Sequence, residues 1–313
     1  MSRIVYMAPY AGALTGGNKM IFRHVEALGA LGFDAVVRRP PQTAPPTWFQ
    51  HCAPVEDGSV PLAADDILVL PEDSPEALRQ AADLPNRKVI FCQNPYALAA
   101  HGLASVPADQ RGQYRTFMAC GAGAAGLIAR FFDYDTISVT PGFADERIFR
   151  PTAKERIIAC SPRHRRTEQA AIRHMFERLC PTADAWRWEI MEDRTEAQVA
   201  DVMGRASVFL SLARMEALSL TTLEAMASQC LVAGFTGIGA REFASSVNGV
   251  WVDEDDCEAA AHALVRVVAL AEQGGGAQAL MRHAAGQTAA QWTHAAFVVA
   301  LDAFWRDRMG VTA

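Results

Sequence analysis

The chain has 313 residues, of which 50% are hydrophobic and 20% charged, and its formal net charge is -6 at pH 7. This composition allows two domains with sizeable cores and excludes a disordered chain. The negative charge argues against nucleic acid as the main partner. The seven cysteines are widely spaced and form no C-x-x-C pair, which favours reduced thiols over a disulfide framework or a zinc site.

The sequence contains no segment typical of membrane insertion. Its first residues, MSRIVYMAPY, hold an apolar run that is too short for a signal peptide. No stretch approaches the roughly 18 uninterrupted apolar residues of a transmembrane helix. We therefore expect a cytoplasmic protein, for which peripheral contact with a membrane surface stays open.

Short apolar runs alternate with helical patterns along the first half of the chain. The periodicity predicts a helix over residues 19–31, in which Met20, Ile21, Val25 and Leu28 share one face. Strands are predicted at residues 3–7, 34–37, 67–70, 88–92, 116–120 and 137–140. Continuous apolar strands separated by helices indicate a parallel sheet that is covered on both faces.

The same alternation restarts after a turn-rich segment, residues 141–151, which reads as a linker. Strands are predicted at residues 156–160, 186–191, 207–212, 231–234 and 249–252, and helices at 196–203, 222–228, 258–271 and 295–308. Residues 42–46 and 274–276 are predicted to be loops. The chain is therefore predicted to hold two doubly wound α/β units, and such sheets bind ligands at the carboxyl ends of their strands.

Two glutamates follow the strand predicted at residues 207–212. Glu216 lies in a short loop and Glu224 in the next helix, with seven residues between them. Both carboxylates can reach one ligand at the carboxyl edge of the sheet, and the start of the helix offers N–H groups for a phosphate. Two structural interpretations stay open: Glu224 fits a capping box with Thr221, and Glu216 can be an ordinary loop carboxylate.

A basic loop follows the strand predicted at residues 156–160. It contains Arg163, His164, Arg165 and Arg166, which lie where a diphosphate would bind at the end of that strand. Arginine binds phosphate oxygens in a bidentate way. The alternative is a solvated basic loop without a ligand.

Residues 121–126 form the pattern G-x-G-x-x-G, which is typical of dinucleotide sites. Such a site also needs an acidic residue at the end of the following strand. That strand ends instead at Thr140-Pro141-Gly142 and belongs to the end of the sheet rather than its start. We therefore expect no NAD binding.

Asp133 and Asp135 form a D-x-D pattern, a spacing at which two carboxylates can bind one metal ion. They precede a predicted strand, so they should lie at the amino edge of the sheet, away from the ligand crevice. The acidic residues 253–256 are better placed but read as a solvated turn. We therefore expect no metal site at either position.

The ordered set of motifs resembles the retaining family 4 glycosyltransferases of the GT-B fold. The family's E-x7-E element is matched by Glu216 and Glu224, and the EAMA at 224–227 also matches. The segment VTPGFADERIFRP at 139–151 is similar to the family's interdomain segment, and the pair Gly16-Gly17 to its glycine-rich loop. The segment from Asn248 resembles the strand near the end of the donor domain. The likeness covers most of the chain in the same order.

The resemblance implies two tandem Rossmann-like domains that face a central cleft. Residues 1–150 would bind the acceptor, and residues 151–292 the nucleotide-sugar. Residues 293–313 would form a helix that crosses back to the first domain, where Phe304 and Trp305 are buried.

The resemblance also implies roles for individual residues. Catalytic roles fall to Glu216, Arg163 and Arg166, with Arg165 as an alternative to Arg166. Donor contacts are implied for Glu224, Leu218, Ser219, Leu220, Gly16, Gly17 and Thr140. Many family members use a histidine near the transferred sugar, and the candidates for that place are Asn94, Gln93 and His101. His101 fits a helix surface equally well, and His24 reads as structural.

The implied reaction moves a sugar from a nucleoside-diphosphate sugar to a saccharide, lipid-linked or protein acceptor that the sequence does not identify. It would proceed with retention and without metal or another cofactor, and the protein would stabilise the leaving diphosphate and position the reactants. A binding protein with little turnover is an alternative, suggested by Ala217-Leu218-Ser219 where the family has Gly-Phe-Gly. A nucleotide-sugar epimerase and an NAD-dependent oxidoreductase are further alternatives.

Overall fold

A computed structural model of the chain describes residues 2–10, 13–132 and 137–313. It divides into two compact units, one of Met1–Gly142 with Ala295–Ala313 and one of Phe143–His294. The sequence-based boundary lies eight residues further on, at 150/151. The segment after Gly142 joins the second unit because the Ala144 amide donates to the Trp292 carbonyl at 3.0 Å. The acceptor and donor roles of the two units stay predictions.

The first unit is built on a seven-stranded parallel sheet. Its strands are β1 (Ile4–Met7), β2 (Ala35–Arg39), β3 (Val55–Asp57), β4 (Ile67–Pro71), β5 (Arg87–Cys92), β6 (Phe117–Ala119) and β7 (Ser138–Val139). They lie in the order β3-β2-β1-β4-β5-β6-β7, with Val5 of β1 in register with Val36 and Leu68. Six of these strands were predicted. β3 was missed because it is three residues long and lacks the buried apolar run of its neighbours.

Between the strands, the described residues form the helices α1 (Gly16–Ala30), α2 (Pro75–Ala82), α3 (Pro95–Ala97) and α4 (Ala122–Phe132). α1 begins three residues before the predicted start because Thr15 caps it, accepting a hydrogen bond from the Asn18 amide. Gly16 and Gly17 therefore form its first turn.

The second unit is built on a five-stranded parallel sheet. Its strands are β8 (Glu155–Cys160), β9 (Arg187–Ile190), β10 (Ala206–Leu212), β11 (Leu231–Phe235) and β12 (Val250–Val252). They lie in the order β12-β11-β10-β8-β9, and all five were predicted. Its helices are α5 (Arg166–Leu179), α6 (Glu196–Arg205), α7 (Leu220–Ala227), α8 (Cys257–Gln273) and α9 (Gly275–Ala289). Ile158, Val208 and Phe235 of the sheet pack with Phe176 and Leu264 of the helices in its core.

The prediction of a loop at residues 274–276 was wrong. Only Gly274, with a φ of 66°, separates α8 from α9 and ends α8 by donating its amide to the Leu270 carbonyl. Gly275 and Gly276 already belong to α9. Glycine tolerates the left-handed conformation that this tight connection needs, so the glycines mark a helix junction rather than a longer loop.

The last helix, α10 (His294–Ala303), continues into a π-helical turn, Phe304–Arg308. Phe297 and Trp305 are completely buried, and Arg87 of the first sheet donates to the Met309 carbonyl at 2.9 Å. These contacts place residues 295–313 in the first unit. None of the helices among the described residues is long and apolar enough to cross a membrane.

α1 places His24 in the centre of the first core. Its side chain is completely buried, with Nδ1 3.0 Å from the Tyr6 hydroxyl. Its ring centroid lies 4.3 Å from that of Phe91 and 4.8 Å from that of Phe297. Burial lowers the pKa of His24 to about 3, because the charged imidazolium would lose its hydration there.

We expect His24 to make the fold sensitive to acid. Since the pKa is about 3 in the folded chain and 6.5 in an unperturbed histidine, the unfolded chain binds more protons between these values. The stabilising contribution is therefore complete above pH 6.5 and is lost as the pH falls towards 3. At pH 5 the loss should be about 2 kcal/mol in the free energy of unfolding.

Urea unfolding of the His24→Phe chain at pH 7.5 and 5.0 tests this expectation, since the loss on acidification should shrink by that amount. His283→Gln, at an exposed position of α9, is the matched control and should behave as the unchanged chain does. An undiminished loss in His24→Phe would show that other groups cause the acid sensitivity.

Candidate functional site

The second sheet reverses its winding direction between β8 and β10. From β8 the chain continues to β9 on one side, and from β10 it continues to β11 and β12 on the other. In open parallel sheets, ligands bind outside the carboxyl ends of the strands at such a reversal. The loops that follow β8 and β10, residues 161–165 and 213–219, both begin at this point.

These two loops bring Arg163 and Glu216 together. A guanidinium nitrogen of Arg163 lies 3.8 Å from a carboxylate oxygen of Glu216, and the two side chains are 41% and 35% exposed. The other Glu216 oxygen accepts the Arg214 amide at 2.8 Å. An ion pair so exposed contributes only about 0–1 kcal/mol, so either group can exchange its partner for a ligand.

The backbone of Arg163 has a φ of 45°, in the left-handed region that few residues other than glycine adopt. Such a conformation persists only where the surrounding structure imposes it, and it often marks a functional loop. It lets the chain turn sharply between β8 and α5.

Arg166 and Arg165 have different environments from Arg163. Arg166 is the first residue of α5, is 73% exposed and donates to Glu192 at 2.8 Å. Arg165 is 2% exposed, and its two terminal nitrogens bond Glu254 and Asp255. Its guanidinium also lies 4.7 Å from the ring centroid of Phe235. Arg165 is therefore committed to protein partners, which leaves Arg166 as the second phosphate candidate.

The sequence suggested that the acidic residues 253–256 form a solvated turn. In the structure, two of them bind other parts of the second unit. One Glu254 oxygen bonds Arg165, and the other accepts the Gly237 amide at 2.6 Å. Glu254 therefore links Arg165 to the loop that follows β11 and contains Gly237 and Gly239, which we call the glycine loop. Sequence reasoning missed this role because charged residues next to each other in a turn are usually solvated. The feature of the sequence that best indicated this role was the position of these residues directly after a strand, at the edge of the sheet where ligands bind.

The glycine loop lies directly behind the loop that carries Glu216. Gly237 has a φ of 54°, and a Cβ atom there would lie 2.6 Å from the Arg214 amide nitrogen. A Cβ atom on Gly239 would lie 2.6 Å from the Glu216 carbonyl oxygen. Because real Cβ contacts are not this short, both positions need glycine. Arg165, Glu254 and the glycine loop together fix the backbone at Glu216.

Glu224 lies in the second turn of α7 and is 6% exposed. The capping box with Thr221 is not formed, because α7 begins at Leu220 with Ser219 as N-cap and Thr221 is already its second residue. Ser219 makes no side-chain capping bond. The capping-box interpretation of Glu224 is therefore wrong, while its role towards a ligand stays a prediction.

A chain of hydroxyl groups attaches α7 to the sheet. The Ser219 hydroxyl lies 2.9 Å from that of Thr222, which lies 3.2 Å from that of Ser211. The Ser211 hydroxyl donates to the Phe235 carbonyl at 2.7 Å. These contacts fix the start of α7 against the ends of β10 and β11.

The segment Ala217-Leu218-Ser219, which replaces the family's Gly-Phe-Gly, has buried side chains. Their exposed fractions are 5%, 6% and 6%. The replacement therefore adds few side-chain atoms to the exposed edge. Leu220, the fourth donor candidate in this stretch, opens α7.

In the first unit, the candidate Gln93 contacts the glycine pair Gly16-Gly17. Gln93 follows β5 and donates its side-chain amide to the Gly17 carbonyl at 3.1 Å, while Gly16 is the preceding residue of α1. A Cβ atom on Gly17 would lie 3.3 Å from that amide nitrogen, so glycine allows the close approach. Both groups lie at the carboxyl edge of the first sheet.

The other first-unit candidates occupy separate positions. Asn94 caps α3 by accepting two backbone amides with its side-chain oxygen. His101 is exposed in a π-helical turn, Leu98–Gly102, which follows α3. Thr140 is completely buried, and its hydroxyl oxygen has no hydrogen-bond partner among the described residues.

Glu72 was missed by the sequence analysis. It follows β4 directly, is 3% exposed and accepts the Asn94 amide. Burial raises the pKa of Glu72 to about 8, and the neighbouring Asp73 carboxylate contributes to this rise. The signal in the sequence was a pair of carboxylates at the end of a wholly apolar strand, where a buried carboxylate can bind backbone amides.

The expectations that the D-x-D pattern binds no metal and that the G-x-G-x-x-G pattern binds no dinucleotide remain untested. Asp133 and Asp135 lie outside the described residues. Within the ranges that the structure describes, no group of three or more His, Cys, Asp and Glu side chains is arranged to hold a metal ion. The G-x-G-x-x-G pattern leads from β6 into α4.

Sequence comparisons match part of the chain. The family model described as Glycosyl transferases group 1 matches residues 171–269, a range that contains both glutamates. The chain is 36% identical over 114 residues to an alpha-1,6-glucosyltransferase of Actinobacillus pleuropneumoniae. That match spans about a third of each protein, 34% of this chain and 34% of the enzyme.

Solved structures match the whole chain. Sucrose-phosphate synthase from Thermosynechococcus elongatus has a TM-score of 0.72 at 12% identity, and both chains are covered completely. Anabaena HepE in complex with UDP and glucose has a TM-score of 0.71 at 12% identity, again with complete coverage of both chains. A glycosyltransferase from Rickettsia africae gives 0.69 at 12% identity. Together with the two doubly wound parallel sheets, these matches show that the chain has the GT-B fold.

Proposed function

We propose that the chain is a glycosyltransferase that moves a sugar from a nucleoside-diphosphate sugar to an acceptor. The observation that carries this proposal is the meeting of Arg163 and Glu216 at the point where the second sheet reverses its winding. The family match over residues 171–269 and the relative described as a glucosyltransferase support it. Several of the solved structures that match this chain are complexes with UDP, which supports a nucleotide-sugar donor.

The second unit would bind the donor. Arg163, with Arg166 beside it, would bind the diphosphate, and the start of α7 at Ser219 would add its dipole. Glu224 would accept hydrogen bonds from the two ribose hydroxyls. Glu216 would bind a sugar hydroxyl or stabilise positive charge that develops on the sugar ring.

We propose transfer with retention of configuration and without a metal ion. No side chain in the second-unit site stands out as a covalent nucleophile. The departing phosphate would guide the acceptor hydroxyl onto the same face of the sugar, while Arg163 stabilises the negative charge of the leaving group. Arginines and a helix start can neutralise a diphosphate without a cation. The first unit would bind the acceptor, with Gln93, Asn94 and His101 as candidates near the sugar.

Release of nucleoside diphosphate from a panel of nucleoside-diphosphate sugars, measured in EDTA, tests the proposal. One donor should bind and be slowly hydrolysed even without an acceptor. A ligand at 100 times its dissociation constant should raise the free energy of unfolding by about 2.7 kcal/mol, which identifies the preferred base beforehand. Binding without any turnover would favour the alternative of a nucleotide-sugar-binding protein, and absence of binding would contradict the proposal.

The two arginines should differ in their effects on nucleotide binding. Arg163→Ala should lower the affinity for the nucleoside diphosphate about 10- to 100-fold, because hydrogen bonds to charged groups contribute roughly 1.5–3 kcal/mol. Arg166→Ala should have a smaller effect, since Arg166 must first leave Glu192. Calorimetric titration with the diphosphate and with the bare nucleoside measures both. Equal losses for the two ligands in Arg163→Ala would show that this loop does not bind phosphate.

Glu224→Gln should weaken nucleotide binding about tenfold or more, because the charged acceptor for two ribose hydroxyls is lost. Glu258→Gln, at an exposed position in the first turn of α8, is the control and should bind normally. Binding of the 2'-deoxynucleotide provides a second comparison, since it keeps only the 3'-hydroxyl and its affinity should fall less on the Glu224 change than that of the ribonucleotide. Unchanged affinity for the ribonucleotide in Glu224→Gln would defeat the ribose assignment.

A further inference from the structure

A polar cavity lies at the amino edge of the second sheet, at the opposite ends of the strands from the proposed donor site. Its volume is about 350 Å³, and it is formed by the starts of β8 and β10 with α8 and α9. Three cationic side chains line it: Lys154, Arg156 and Arg282. It is not used by the proposed glycosyl transfer.

Lys154 brings a positive charge to this cavity without a carboxylate partner in the described part of the chain. Its ammonium donates to the carbonyls of Met203 at 3.1 Å and Ser228 at 2.6 Å and contacts the Cys230 sulfur at 3.9 Å. These partners satisfy its hydrogens but do not neutralise its charge. Burial lowers the pKa of Lys154, and the nearby Arg282 lowers it further.

Arg282 is the second uncompensated cation. It is partly buried, and its Nε is inaccessible to solvent and has no hydrogen-bond partner in the parts of the chain that the structure describes. Burial lowers its pKa as well. A buried N–H without a partner is unfavourable, because its lost hydration is not replaced.

The carboxylates that line the cavity are already engaged. Glu155 pairs with Arg187 at 3.1 Å and with Arg205 at 3.2 Å. Glu272 accepts the indole N–H of Trp186 at 3.0 Å. Neither forms a salt bridge to Lys154 or Arg282 within the described ranges. The bond from Trp186 lowers the pKa of Glu272, and the charge of Arg156 helps to lower it. Three cationic side chains face two carboxylates in the lining, so the cavity keeps an excess of positive charge.

We propose that this cavity binds an anion of the phosphate class. Arg282 would donate to two of its oxygens, Arg156 would close over it from the exposed side, and Lys154 would contribute its charge. A guanidinium binds a tetrahedral oxyanion in a bidentate way, and the cavity has room for a phosphate group with a small organic substituent. Inorganic phosphate and a phosphate monoester share this chemistry.

Thermal unfolding and calorimetric titration of the full chain with inorganic phosphate test the proposal, with sodium chloride at equal ionic strength as the reference. Phosphate should stabilise the chain beyond chloride, and Arg282→Gln should lower its affinity at least tenfold. Arg156→Gln, at an exposed position, should also lower the affinity for phosphate. This variant provides the test if Arg282→Gln does not fold. Glycerol 3-phosphate, tested in parallel, decides whether the monoester or the free ion binds more tightly.

Arg163→Gln separates this cavity from the proposed donor site. Phosphate affinity should survive Arg163→Gln and nucleoside-diphosphate affinity should survive Arg282→Gln, so that each variant affects one ligand only. Loss of phosphate binding in Arg163→Gln but not in Arg282→Gln would place the anion at the donor loop and overturn the inference. Equal stabilisation by phosphate and chloride would overturn it too. Neither result depends on whether the chain transfers sugar.

Discussion

Glu216→Gln should lower the rate of sugar transfer by about 10²- to 10³-fold while nucleotide affinity stays within about twofold of the unchanged chain. Glu216 lies in the loop after β10, and its carboxylate is 35% exposed and held by the Arg214 amide. The glycine loop behind it fixes its backbone, so the carboxylate is oriented before any ligand arrives. In the proposed reaction, a carboxylate positioned in this way would stabilise positive charge that develops on the sugar ring, which the neutral amide of glutamine would not do.

Single-turnover kinetics and nucleotide titration separate the two effects. Glu177→Gln is the matched control, because Glu177 is a similarly exposed carboxylate paired with an arginine, Arg173 of α5, outside the proposed site and should leave turnover within about twofold. Parallel losses of rate and nucleotide affinity in Glu216→Gln would assign the carboxylate to nucleotide binding. An unchanged rate would make Glu216 an ordinary partner of Arg163.

The sheets and the candidate loops could be predicted from the sequence because they depend on local patterns. A buried parallel strand, such as residues 207–212, reads as a continuous apolar run, and its carboxyl end is then known. Since neighbouring parallel strands end at the same edge, Arg163 and Glu216 could be assigned to one site from the sequence alone. The structure adds the distance between a guanidinium nitrogen of Arg163 and a carboxylate oxygen of Glu216, which is 3.8 Å.

The partners of buried charges could not be predicted in the same way. Arg165 looks like its neighbours Arg163 and Arg166 in the sequence, but it bonds Glu254 and Asp255, which lie 89 and 90 residues further on. Only the three-dimensional order of the loops after β8 and β12 determines such a contact. Glu72 was missed for a related reason, because its burial depends on the loop after β5 folding over it.

Arg165→Met should destabilise the chain by about 2–3 kcal/mol in the free energy of unfolding. Breaking a buried ion pair usually costs more, but Glu254 and Asp255 are 29% and 69% exposed and can regain water. The contact of the guanidinium with the Phe235 ring is lost as well. Methionine keeps much of the side-chain volume, so the change removes the charge and its hydrogen bonds rather than opening a large cavity.

Denaturant unfolding of Arg165→Met, Glu254→Gln and the double variant measures this network. Because Glu254 bonds both Arg165 and the Gly237 amide, the double variant should lose less stability than the sum of the single losses. Arg173→Met, which removes an exposed pair with Glu177 on α5, is the matched control and should cost at most about 0.5 kcal/mol. A similar small loss in Arg165→Met would mean that its ion pairs contribute little to stability, and Arg165 would again be an alternative to Arg166 for the second phosphate contact.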